Sequence, residues 1–185
     1  MKRKMGVFAN IRQWPVVATL AFPYVTYASD VNSIESQLPA DEIKQGCYVL
    51  FESASAVADE DSLGTPPQEI NVKWKCDDLP SQLLDTYEIE GGAPKIVTSF
   101  IRNRSHIVVV AKWHICSLTS DFCGYLYRIF LYQYVERSEG NDFINTHKMK
   151  GEKLTGMEGI RDGKRVSFPL RSKEAINAAL DRLER

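Results

Sequence analysis

Apolar residues recur at every second position in particular stretches of this chain, most cleanly over residues 69–76. Where they become continuous they form the pair of runs on which the rest depends, residues 107–116 and 125–134. In the first run Ile107, Val109, Ala111, Trp113 and Ile115 are all apolar, while the alternate positions turn polar at Lys112 and His114. A period of two, in a stretch rich in β-branched and aromatic residues, predicts a strand with one face on the core and the other opening to solvent towards the turn. The second run carries aromatics on both faces, as expected of a central strand covered on both sides. Between them Ser117, Leu118, Thr119, Ser120, Asp121 and Phe122 form a short loop bracketed by Cys116 and Cys123, so the two runs read as one buried β-hairpin.

The same criteria place further elements along the chain. Residues 46–52 and 95–101 are strand-like, and residues 69–76 alternate cleanly with Ile70, Val72, Trp74 and Cys76 on one face, the pattern of an edge or outer strand. Residues 142–149 and 165–168 read as further strands, the latter introduced by the Asp162-Gly163 hairpin turn. Residues 32–38 are expected to make one or two helical turns in a poorly ordered approach to the domain, residues 81–84 a single helical turn, and residues 151–159 a glycine-rich loop. Ser172 is a natural N-cap for a closing helix in which Glu174 suits the first turn and Ile176, Ala179, Leu180 and Leu183 share one face. The predicted class is α+β: a mainly antiparallel sheet, a meander of about six to eight short strands, with a C-terminal amphipathic helix.

The first 28 residues alter this picture. Lys2, Arg3, Lys4 and Arg12 precede an uncharged, mostly apolar run over residues 15–28, ending in Thr26-Tyr27-Ala28 ahead of Ser29. That is the layout of a bacterial-type signal peptide with a small-x-small cleavage site. The run is short for a bilayer span and contains Pro15 and Pro23, which makes a retained membrane tether the weaker alternative, and no nearby cysteine offers a lipid attachment point. Cleavage leaves residues 29–185 as a single globular domain in the periplasm or outside the cell. It removes four basic and no acidic residues, taking the net charge from −1 to −5. A chain of that charge disfavours nucleic acid and anionic lipid and suits a protein partner with a basic surface.

An oxidising destination gives the four cysteines a meaning. Cys116 and Cys123 face each other across the hairpin, and the chain-entropy model values so short a loop at about 2.5 kcal/mol. Cys47 and Cys76 are then left to close a loop worth about 3.6 kcal/mol; the other two pairings of the four stay open at this stage. Neither Cys-x-x-Cys nor paired histidine spacing occurs, so no metal or cofactor is expected.

Candidate chemistry is sparse. His106, His114 and His147 are isolated, and His114 with Asp121 and Ser117 or Ser120 would be a triad lacking a nucleophile elbow and an oxyanion element. Glu88 and Glu90 share a strand face but read more simply as a solvated one, and Gly91-Gly92 reads as a turn because no helix follows it. Asp59, Glu60 and Asp61 sit in a loop that lacks the glycine and distal glutamate of a calcium loop; a surface that docks on a cationic partner is the functional alternative to a solvated one. Tyr125, Tyr127, Tyr132 and Tyr134 offer aromatic anchors, although such a stripe is more often core. The sharpest feature is the disulfide-stiffened loop projecting Leu118, Asp121 and Phe122, which would lose little entropy on binding. In size, charge and stapling the chain resembles the inhibitors and immunity proteins that bacteria keep in the envelope to block cell-wall or lipid hydrolases, which implies binding and no turnover; a small secreted hydrolase or an envelope structural protein is the alternative.

Overall fold

The computed structural model of the protein describes residues 33–55, 68–77, 79–119, 121–137, 140–145 and 154–185. The expected signal peptide, the acidic residues 59–61, Ser120 and His147 lie outside them. The class is the expected one, antiparallel β-sheet with one C-terminal helix, but ten strands are present among the described residues and they divide into two sheets instead of a single meander.

The first sheet is β1 (Ser33–Pro39), β2 (Cys47–Ser55), β3 (Gln68–Cys76) and β4 (Gln82–Tyr87), paired in chain order. β1 and β4 occupy the stretches expected to make helical turns: neither has a strong preference of its own, and each supplies the partner that an open edge of β2 or β3 demands. β3 consequently lies inside the sheet, not at its edge. Its clean alternation arises because only its Ile70, Val72, Trp74 and Cys76 face is buried.

The second sheet is built on the expected hairpin, β6 (His106–Ser117) and β7 (Phe122–Arg137), in register from His106 opposite Gln133 to Ser117 opposite Phe122. β5 (Pro94–Arg102) flanks β6. The other side of the long β7 is shared: β8 (Gly140–Asn145) pairs its C-terminal part and β9 (Thr155–Arg161) its N-terminal part, with β10 (Lys164–Val166) outside β9. The glycine-rich stretch therefore becomes a strand where it is described. Gly124 and Gly159 are register partners, and a Cβ on either would collide with the backbone of the opposite strand, so the glycines mark close strand approach, not a loop.

β6 and β7 are apolar on both faces because the second sheet is the middle of three layers. Ile107, Val109, Ala111, Trp113, Leu126, Phe130 and Tyr132 pack on the first sheet, against Val49, Phe51, Ile70, Val72, Trp74 and Tyr87. Tyr87 stacks on Phe130 with ring centres 4.1 Å apart. A polar thread crosses this layer: the Tyr87 hydroxyl donates to that of Tyr132 at 2.9 Å, and Tyr132 donates to Asp85 at 2.9 Å. Burial holds both phenols well above the ordinary tyrosine range.

On the opposite face Val108, Val110, Ile129 and Leu131 meet Ile176 and Leu180 of α1 (Lys173–Leu183). Ser172 caps this helix as expected, its Oγ accepting from the Ala175 amide at 3.2 Å. The helix is clasped at its other end by Arg102, a buried side chain that donates twice to Glu184, at 2.8 Å each, and once to Asp181 at 2.7 Å.

Candidate functional site

α1 and Phe168 cover only the half of the outer face nearest Arg102. The other half, running to the disulfide loop, is open, and its composition follows from register. Across β6, β7 and β9 the outward positions align in rows: Lys112, Tyr127 and Gly156; then His114, Tyr125 and Glu158; then Cys116, Cys123 and Ile160. The polar residues that broke the alternation of residues 107–116 are therefore the floor of this open half.

From these rows Lys112, Tyr125, Tyr127, Glu158 and Ile160, with Arg165 of β10 and Arg171 ahead of the helix, line a cleft of about 660 Å³. Three cationic side chains, Lys112, Arg165 and Arg171, stand there against one carboxylate, Glu158. Arg171 holds that carboxylate, donating to both oxygens at 2.8 and 2.9 Å. Tyr127 stacks on Phe168 at 5.0 Å, and its phenol is raised above the ordinary range by burial first and by its bond to Glu158 second. The Lys112 ammonium lies over the Tyr125 ring at 4.5 Å, and the His114 ring meets the same ring edge-on at 5.3 Å. Lys112 and Arg165 make no ion pair with another described residue.

Beside the cleft lies a smaller, mainly apolar recess of about 340 Å³ between the disulfide loop and β9, lined by Cys116, Ser117, Leu118, Asp121, Phe122, Cys123 and Ile160. Both disulfides are those expected, Cys47 with Cys76 and Cys116 with Cys123, each joining register partners. Such bridges are the mark of a protein that matures in an oxidising compartment. No helix among the described residues is long and apolar enough to cross a membrane.

The loop residues differ in exposure. Leu118 is fully exposed and Asp121 is exposed at a left-handed backbone angle, φ 41°. Phe122, expected to project, is instead 3 % exposed: as the first residue of β7 opposite Ser117 it forms the wall of the recess. The carbonyl of Asp121 accepts from the Asp162 amide at 3.0 Å, tying the disulfide loop to the β9–β10 turn. That turn brings Ile160 to the site, 59 % exposed beside Leu118 and the 38 % exposed Tyr125. Ile160, Glu158, Arg165 and Arg171 were not singled out from sequence; the signal was the Asp162-Gly163 turn, whose strands had not been placed next to β7.

The other candidates are used elsewhere. No hydrogen bond joins His114 to Asp121 among the described residues; the His114 Nε2 lies 3.9 Å from Cys116 Sγ. His114, Cys116 and Cys123 cluster within 4.8 Å, but the two sulfurs are bonded to each other and so supply no thiolate in this form. Glu90 pairs with Arg128, and the Glu88 carbonyl accepts from Trp113 Nε1 at 2.8 Å. Of the tyrosines, Tyr127 and Tyr132 are buried and Tyr134 packs on Trp74 and Phe143, which leaves Tyr125 as the exposed member. No family model, curated protein or solved structure gives a significant match to this chain.

Proposed function

We propose that the chain is exported to the periplasm or beyond and acts without catalysis, as an inhibitor or immunity-type protein that binds and blocks another protein. The observation that carries this reading is the grouping of Leu118, Ile160 and Tyr125, three exposed large apolar side chains on adjacent strands and loop at the uncovered end of the second sheet. Their backbone is held by the Cys116–Cys123 bridge and the Asp121–Asp162 contact, so docking orders little that is not already ordered. An apolar centre with a cationic margin is the layout of a protein-binding patch.

Charge selects the partner's contact surface. Lys112 and Arg165 call for carboxylates opposite the cleft, while the net charge of −5 on the cleaved chain favours basic groups elsewhere on the partner, with residues 59–61 as acidic candidates by sequence. The layout of residues 1–28 and the two disulfides support export.

The test is comparative capture from envelope extract with the wild-type domain and with Leu118→Asp/Ile160→Asp, followed by calorimetry on the purified partner. A saturable partner lost by the double variant, with thermal stability kept, is the expected result. Equal retention of the partner by both proteins would remove this face from the interaction.

A further inference from the structure

The two disulfides differ in setting. Cys47 and Cys76 are buried between the sheets at 2 % and 8 % exposure, whereas Cys116 and Cys123 are exposed at the open end of the hairpin. His114 precedes Cys116 by two residues on the same face of β6, its Nε2 3.9 Å from that sulfur. The apolar recess of about 340 Å³ is lined by both cysteines together with Leu118, Phe122 and Ile160. Each of these features belongs to exchange chemistry: a reachable disulfide, a place for an incoming chain, and an imidazole 3.9 Å from the Cys116 sulfur, with the Cys123 sulfur also within 4.8 Å of the cluster.

We propose that Cys116–Cys123 is an exchangeable, redox-active disulfide, opened by an incoming thiolate, with His114 stabilising Cys116 as the leaving sulfur. The thiolate attacks Cys123 Sγ, a mixed disulfide forms there, and the Cys116–Cys123 bond breaks with its electron pair on Cys116. A protonated imidazole at His114 stabilises that thiolate and supplies its proton when the thiol forms. A second thiol then resolves the mixed disulfide, releasing Cys123. Two thiols are oxidised to one disulfide as one protein disulfide is reduced to two thiols. The sulfur nearer His114 is the better supported leaving group, which makes Cys123 the site of attack.

The charged and titratable groups around His114 are Lys112 on its own strand, Tyr125 beside it on β7, and Glu158 one strand further on and held by Arg171; Asp121 lines the recess with Cys116. Opening the bridge would release the residue 117–122 loop, and Leu118 with it, from covalent closure. The proposal does not depend on what docks there.

The mature protein with both bridges formed is treated with glutathione or, separately, with a dithiol reductant protein, quenched by alkylation and mapped by mass spectrometry. Cys116–Cys123 should open at least about tenfold faster than Cys47–Cys76. Opening by glutathione identifies a small thiol as sufficient, and opening by the dithiol protein alone identifies a protein co-reactant; opening by neither, or equal rates for the two bridges, overturns the proposal. In the protein with this bridge reduced, alkylation of Cys116 near about pH 6 should slow about tenfold in His114→Gln, with no change near about pH 9 where the thiolate forms unaided. Superimposable pH profiles for wild type and variant would refute the role of His114. That residue is exposed, so the variant folds, and His114→Asn provides a second measurement.

Discussion

Leu118 and Phe122 lie four residues apart in one disulfide-closed loop, and alanine at each should have opposite consequences. Phe122 is 3 % exposed and walls the recess beneath the loop, so Phe122→Ala removes most of a buried ring. Buried phenylalanine truncations cost about 3 to 5 kcal/mol, and a position at the end of a sheet, where the loop can settle into the space, belongs at the lower figure. For a domain of this size about 3 kcal/mol is a fall in Tm of roughly 6 to 12 °C. Leu118 is fully exposed, so Leu118→Ala should change stability by less than about 0.5 kcal/mol. Calorimetry of the oxidised proteins measures both, with intact masses confirming two bridges. As part of a docking centre Leu118→Ala should in addition weaken partner binding by about 2 kcal/mol, roughly thirtyfold in Kd. A destabilisation by Leu118→Ala equal to that of Phe122→Ala would refute this division, since the loop tip would then be part of the core.

Arg102→Met removes the buried guanidinium that clasps Asp181 and Glu184; because those carboxylates are partly exposed and regain water, the loss should be about 2 kcal/mol by denaturant unfolding, and Glu184→Gln should cost less in the Arg102→Met background than in wild type. Tyr87 and Tyr132 both have folded-state pKa values raised by burial, so each neutral phenol is favoured by folding: stability is fully present below about pH 10 and is lost as the pH climbs from there towards the folded values. Tyr132→Phe should cost about 1 to 2 kcal/mol at neutral pH and flatten that alkaline loss, as followed by thermal unfolding across pH; an equally steep alkaline loss would place its origin elsewhere. The intact mass of the exported protein should correspond to residues 29–185 with two disulfides; a mass retaining Trp14 would make residues 14–28 a tether.

Much of the fold was legible because periodicity reports burial directly. The Ile107 to Ile115 alternation, the aromatics on both faces of β7, the facing Cys116 and Cys123, and the Ser172 cap each have a local cause and each occurs where expected. Non-local pairings were less readable. β1 and β4 are strands only because β2 and β3 present edges to them, and β9 pairs β7 across a chain separation that no pattern in Thr155–Arg161 announces. The candidate site inherited that difference: Leu118, Asp121 and the disulfide were found because they are contiguous, whereas Ile160 arrives on the unforeseen β9, which also brings Arg165, on a strand that was expected, to the site, and Arg171 joins them from ahead of the helix. Phe122 misled because a loop position next to a cysteine reads as exposed, while antiparallel register opposite Ser117 turns it inward.

Hydrogen exchange of the purified domain, free and bound to its captured partner, tests the docking face most directly. Amides over residues 112–127 and 156–165 should gain protection in the complex, with those of the first sheet unchanged. Protection confined to β1–β4, with the Leu118 loop and β9 exchanging as in the free protein, would contradict the assignment of the open end of the second sheet as the binding surface.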